Sequence, residues 1–139
     1  MKPLEPVQRK LVGQWIEKAD EDWRAVQRLL GDEDPLRNIV AFHCQQAVEK
    51  YLKAWLSSRN ADFPKTHDLK ELLALIAPLD ANLAAELGAV VILTPFGVSI
   101  RYPGDYPQVL PGQERDFFGL VVRVRDRVLP ELQALLKQG

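Results

Sequence analysis

The sequence predicts an all-α fold, a bundle of four to five helices, and three observations carry that prediction. Residues 34–59 keep an apolar arc at 100° per residue that is too wide for a helix lying on one neighbour, so this stretch suits the central member of a bundle. The first helical stretch is joined to it by only a few residues, a linker length that sets two helices antiparallel. The last segment, from Phe117 onward, gathers its apolar positions on one helical side.

The elements follow in chain order. Residues 1–6 carry two prolines and read as a flexible lead-in. From Val7 to Leu30, Val12, Trp15, Ile16, Ala19, Trp23, Val26, Leu29 and Leu30 fit one face, and Gly31 is placed to end the helix. Asp34 is a good N-cap for the central helix, with Pro35 at the first helical position. Its apolar arc holds Leu36, Val40, Cys44, Ala47, Val48, Tyr51, Ala54 and Trp55. Thr66 is placed to cap a third helix through Leu69, Leu72, Leu73 and Ile76, ended by Pro78. A fourth starts at Asp80 or Asn82 and passes Leu83, Leu87, Val90 and Val91 before Pro95 and Gly97 break it. Gly97–Gly112, rich in Gly, Pro and Tyr, reads as a loop. Residues 122–128 alternate apolar and charged, which is strand spacing, but the wider window favours a helix kinked near Pro130.

The 139 residues are most simply one domain, large enough to bury a real core. A net charge of −1 removes the long-range attraction that nucleic acid or anionic lipid normally exploits. Cys44 stands alone on an apolar face and reads as a buried structural thiol. The N-terminus lacks the apolar core of a signal peptide, and the apolar stretch around Ala89–Leu93 is far too short to span a bilayer. A reduced cytoplasmic location is the expectation, with no membrane partner.

Chemistry-bearing residues concentrate on the central helix. His43, Gln46, Lys50 and Lys53 recur at steps of three and four and form one polar stripe, bordered by Phe42 and Leu56. It reads either as a solvated face, with Glu49 paired to Lys53, or as a binding groove or subunit seam. Asp22 falls inside the apolar arc of the first helix, so its carboxylate calls for a cationic partner. Arg101, followed by Tyr102 and Tyr106 in a Pro/Gly-stiffened loop, is suited to hold a phosphate or stack on a base, and equally to answer Asp22. Arg123, Arg125 and Arg127 share no helical face and read as solvated surface. Gly-rich phosphate loops, nucleophile elbows and cysteine zinc patterns are absent, and His43 and His67 lie on different elements, so no metal or cofactor is expected.

In combination these residues resemble the HEPN domain family, named for nucleotide binding in higher eukaryotes and prokaryotes. The resemblance rests on the ordered set Asp20–Val26, Ala41–Leu56, Thr66–Leu69 and Ser99–Pro103 followed by a final helix. It implies an up-and-down bundle, a helical last segment, and a homodimer whose cleft is lined by the long helix and the Arg loop. Family members often work beside a nucleotidyltransferase, in toxin–antitoxin or related pairs, and others are metal-independent ribonucleases. The ribonuclease branch carries an Arg followed four to six residues later by His. Here Arg101 is followed by Tyr102 to Gln108 with no His, and Tyr106 is a poor base at neutral pH.

The expectation is therefore a non-catalytic protein binding a nucleotide-like phosphate ligand. Arg101 would hold the phosphate, Lys50 and Lys53 add charge, Tyr102 stack, and His43 and Gln46 hydrogen-bond. Asp22, His67 and Tyr106 would support the site. The alternatives are a protein-interaction module without a ligand, and a ribonuclease, acting on RNA, that uses a displaced histidine.

Overall fold

The computed structural model describes residues 2–97, 104 and 107–138, and every regular element among them is a helix. Five α-helices, α1 (Pro6–Leu30), α2 (Arg37–Ser58), α3 (Leu69–Ile76), α4 (Ala81–Glu86) and α5 (Gln113–Lys137), are joined by a 3₁₀ segment, Gly88–Phe96, between α4 and α5. The wide apolar arc does what it predicts: α2 is the central helix, packed against α1 and α5 and also against α3 and the 3₁₀ segment. Its whole second half, Tyr51 to Ser58, is buried. Around it, Val12, Ala19 and Val26 of α1, Leu69, Leu72 and Ile76 of α3, and Val121, Val124, Val128 and Leu132 of α5 belong to one core. Cys44 is fully buried in that core, as expected.

The final segment is helical without interruption. Its strand-like alternation is overruled by a seven-position apolar stripe that only a helix can bury, and the helix runs through Pro130. No helix among the described residues is long and apolar enough to cross a membrane.

Three boundary expectations are corrected. Asp34 does not cap α2: the helix begins at Arg37, and Leu36 precedes it in the left-handed region at φ 53°. Asp32 Oδ1 accepts the Asp34 N–H at 2.9 Å and Asp34 Oδ1 accepts that of Leu36 at 3.4 Å, so both carboxylates close local turns. Asp68, not Thr66, caps α3 by accepting the Lys70 N–H at 3.0 Å, while Thr66 Oγ1 receives the Asp68 N–H and donates to Glu71. The fourth helix is capped by Asp80, one of its two expected starts, and tightens to 3₁₀ from Gly88.

Within the proline-rich lead-in, Leu4 is buried and α1 starts at Pro6. Gln8 Oε1 accepts the Glu5 N–H at 3.2 Å. Its Nε2 donates to the carbonyls of Ser57 and Ser58 at 2.9 and 3.0 Å, which closes the C-terminal end of α2. The Arg9 guanidinium donates to the carbonyls of Leu136 and Gln138, at the opposite end of the chain.

Candidate functional site

The polar stripe of α2 divides into two triplets of the same design. In the first, Asp22 reaches from α1 between His43 and Lys50, two turns apart on α2. One carboxylate oxygen lies 2.8 Å from His43 Nδ1 and the other 2.6 Å from Lys50 Nζ. The carboxylate that the sequence placed in an apolar arc thus has two partners on the neighbouring helix. A buried carboxylate without a cation would be costly, and this one is paired and hydrogen-bonded on both oxygens.

The second triplet centres on Glu49, itself 3% exposed. Its Oε1 is 2.8 Å from His67 Nδ1 and its Oε2 accepts from Lys53 Nζ at 2.9 Å. Gln45 Nε2 adds a bond to Oε1 at 3.2 Å. His67 stands just before α3 with its side chain 61% exposed, so an outward-facing imidazole is fixed from beneath by an inward carboxylate. This is also how carboxylates fix the tautomer of functional histidines.

The single stripe expected from spacing is therefore corrected at Lys53. Its ammonium turns inward to Glu49 and sits 5.4 Å from the Trp15 ring centre and 5.9 Å from that of Phe63. Lys53 lies at the edge of the stripe, and the nearest carboxylate is one turn back on the buried side. The i,i+4 pairing of Glu49 with Lys53 exists, but the pair is buried rather than solvated. Each triplet sets one carboxylate against one ammonium, so both lysine charges are matched within the site.

Gln46, between the two triplets, donates through Nε2 to Gln45 Oε1 at 2.7 Å and to the Gly97 carbonyl at 3.3 Å. Gln45 Nε2 in turn reaches the His67 carbonyl at 3.0 Å. The two glutamines thus tie the loop before α3 and the chain at Gly97 to the same turn of α2. Gly97 lies against Gln45 so closely that a Cβ there would stand 2.7 Å from Gln45 Cδ. Arg101, Tyr102 and Tyr106, the expected phosphate, stacking and supporting residues, lie outside the described residues.

Glu49 and Gln45 are the site residues that sequence reasoning missed. A signal for Gln45 was present, since it lies seven and eleven residues before Leu52 and Leu56, both fully buried, and so shares their side of the helix. Nothing in the sequence identified His67 as the partner of Glu49.

Next to the site, burial and then the Asp22 charge push the Cys44 thiol up to about 12, which makes it inert as a nucleophile at neutral pH. Arg125, expected to be solvated, is instead stacked 3.8 Å over Trp23 with its Nε 3.1 Å from Tyr51 Oη. Tyr51 also donates to Asp20, and burial followed by that carboxylate pushes its phenol well above the ordinary range. This group ties α1, α2 and α5 together and is structural. Among the described residues no group of three His, Cys, Asp or Glu is arranged to hold a metal.

Neither curated proteins nor solved structures give a match to the chain. The HEPN domain family matches residues 12–128, a span that takes in both triplets, Gly97 and most of α5. The chain belongs to the HEPN domain family.

Proposed function

We propose that this HEPN domain is non-catalytic and acts as a homodimer that binds a nucleotide or nucleotide-like phosphate ligand against the polar face of α2. The observation that carries the reading is the pair of carboxylate–imidazole–ammonium triplets, with Gln46 between them holding Gly97. Burying two carboxylates to orient two imidazoles is expensive for a face that only meets water. Arg101 is the cation assigned to the phosphate, because the ammonium groups of Lys50 and Lys53 are already matched by Asp22 and Glu49. Four residues of chain span at most about 14 Å, so Arg101 is within tether reach of the face that holds Gly97. Lys50, with three N–H groups and a side chain 21% exposed, retains donors for a ligand, whereas Lys53 supports the site from within. Tyr102 stacks on the ligand, Tyr106 supports the loop, and a nucleotidyltransferase is the proposed partner, in a toxin–antitoxin-like pair.

A thermal-shift series against nucleotides tests this reading, with Arg101→Ala beside the wild type. Ligand at about 100 times its Kd adds about 2.7 kcal/mol to the folded state, enough for a clear rise in Tm. The expected result is a shift in the wild type that the variant loses while keeping its own unliganded Tm. Equal shifts in both proteins would remove Arg101 from the site, and no shift with any nucleotide would remove the ligand.

One observation favours the interaction-module reading. Leu36 and Ile39, each 48% exposed, stand at the head of α2 just before His43. Co-purification with a nucleotidyltransferase that Ile39→Lys abolishes, without any nucleotide shift, would favour it.

A further inference from the structure

Where α1 begins and α2 ends, a recess of about 380 Å³ lies between those two helices and the loop after α2, a volume in the range of small-molecule sites. Val7, Leu11 and Phe63 form its apolar wall. Val7 and Leu11, neighbours one turn apart on α1, are 82% and 42% exposed, so this wall is open to solvent. The polar lining holds two carboxylates, Glu5 and Asp62, and no Lys, Arg or His. Neither carboxylate is ion-paired among the described residues. Gln8, which also lines the recess, has both its N–H groups committed to the carbonyls of Ser57 and Ser58, so it offers no donor to an anion. Ser57 differs. It is 4% exposed, it lines the recess, and its hydroxyl has no hydrogen-bond partner. A buried hydroxyl left unpartnered is costly, and a ligand N–H would satisfy it.

We propose that this recess is a second binding site, for an alkylammonium group, a positively charged amine on a short apolar stem. The stem lies on Val7, Leu11 and Phe63, the ammonium meets Glu5 and Asp62, and one N–H goes to Ser57 Oγ. The Phe63 ring adds the attraction of an aromatic face for a cation. An anion would meet two carboxylates and no cation in the lining. A neutral apolar molecule would leave both carboxylates and the hydroxyl unanswered. No residue of either triplet lines the recess, and neither does Gln46, so the proposal stands apart from the nucleotide reading.

The test is an amide NMR titration of the full chain with pentylammonium, with lysine capped as its Nα-acetyl methylamide, with pentanol and with pentanoate. Pentylammonium is expected to shift the signals of Ser57, Asp62 and Phe63, whereas pentanol and pentanoate leave them in place. Glu5→Gln and Asp62→Asn are each expected to weaken amine binding about two- to fivefold, as loss of an exposed ion pair does. Ser57→Ala is expected to weaken it about three- to tenfold, the worth of one hydrogen bond, and to keep the unliganded Tm because the hydroxyl has no partner to lose. Capped lysine binding as tightly as pentylammonium would support the site and identify its natural occupant as a lysine side chain of a partner protein. Binding of pentylammonium alone would support it as a site for a free amine. Equal shifts with pentanol or pentanoate would overturn the proposal. So would amine binding that is unchanged in the Glu5→Gln, Asp62→Asn double variant, or the absence of any shift with either amine.

Discussion

Gly97 is packed against Gln45 with no room for a side chain: a Cβ at 97 would lie 2.7 Å from Gln45 Cδ, 2.8 Å from Nε2 and 2.9 Å from Oε1. The backbone there is ordinary, at φ −76°, so the demand for glycine is one of space. Gln45 is fully buried and bonded to Glu49, His67 and Gln46, so it cannot move aside without breaking those bonds. Gly97→Ala is expected to destabilise the fold by about 1–3 kcal/mol, as overpacking does in a filled core. In a Gln45→Ala background the same change is expected to cost little, a coupling that urea unfolding of the four proteins of a double-mutant cycle reads directly.

The Glu49–Lys53 pair gives a second, sharper contrast. Their side chains are 4% and 7% exposed, so removing one partner strands the other charge away from water. Glu49→Leu is expected to cost about 3–5 kcal/mol. Glu49→Leu combined with Lys53→Met is expected to recover most of that loss, since the end of side chain 53 already lies beside the Trp15 and Phe63 rings. A double variant no more stable than Glu49→Leu would mean that the cost comes from the lost His67 and Gln45 bonds.

Cys44 predicts a pH dependence. Burial raises its thiol from 9.0 to about 12, so the folded protein holds a proton that the unfolded chain has released above pH 9. The unfolded state binds fewer protons in that range, and stability therefore falls as pH rises from about 9 to about 12. Tyr51 drives the same trend, so the diagnostic quantity is a difference. Cys44→Ala is expected to show a shallower decline of Tm across this window than wild type. Native protein is also expected to resist iodoacetamide at pH 8 until denaturant is added.

Two glycines offer stabilisation. Gly13 in α1 and Gly119 in α5 are interior helical positions where an added Cβ meets nothing within 4 Å. Replacing either with alanine is expected to stabilise the protein by about 0.5–1 kcal/mol, seen as a rise in Tm. Unchanged or lowered melting at either position would reveal a need for the bare backbone, such as a close approach by another chain.

The long elements were legible because periodicity sums over many residues. The run from Phe117 to Leu135 outvotes the local alternation of Val122–Val128, and the width of the α2 arc identifies the central helix. Asp22 was legible too, since a carboxylate at an apolar angle needs a counter-charge wherever the chain supplies one, and Lys50 and His43 supply it. Helix starts were harder to read. Asp32, Asp34, Thr66 and Asp68 are all competent caps or turn formers, and the choice among them depends on how the loops are held. The Glu49 triplet was the least legible part of the site. Its partner His67 arrives from a different element, and an i,i+4 Glu–Lys pair reads the same on a wet surface as in a core.

The hold of Arg9 on the carbonyls of Leu136 and Gln138 has a topological consequence. One side chain spans 127 positions of sequence to clasp the first helix to the last, which brings the two ends of the described chain to one pole of the bundle. With its two ends together, the described chain is suited to being joined there and opened elsewhere. A circularly permuted version, with the ends joined by a short flexible linker and a new opening in the exposed Asp32–Asp34 turn, would retain every packing contact of the core.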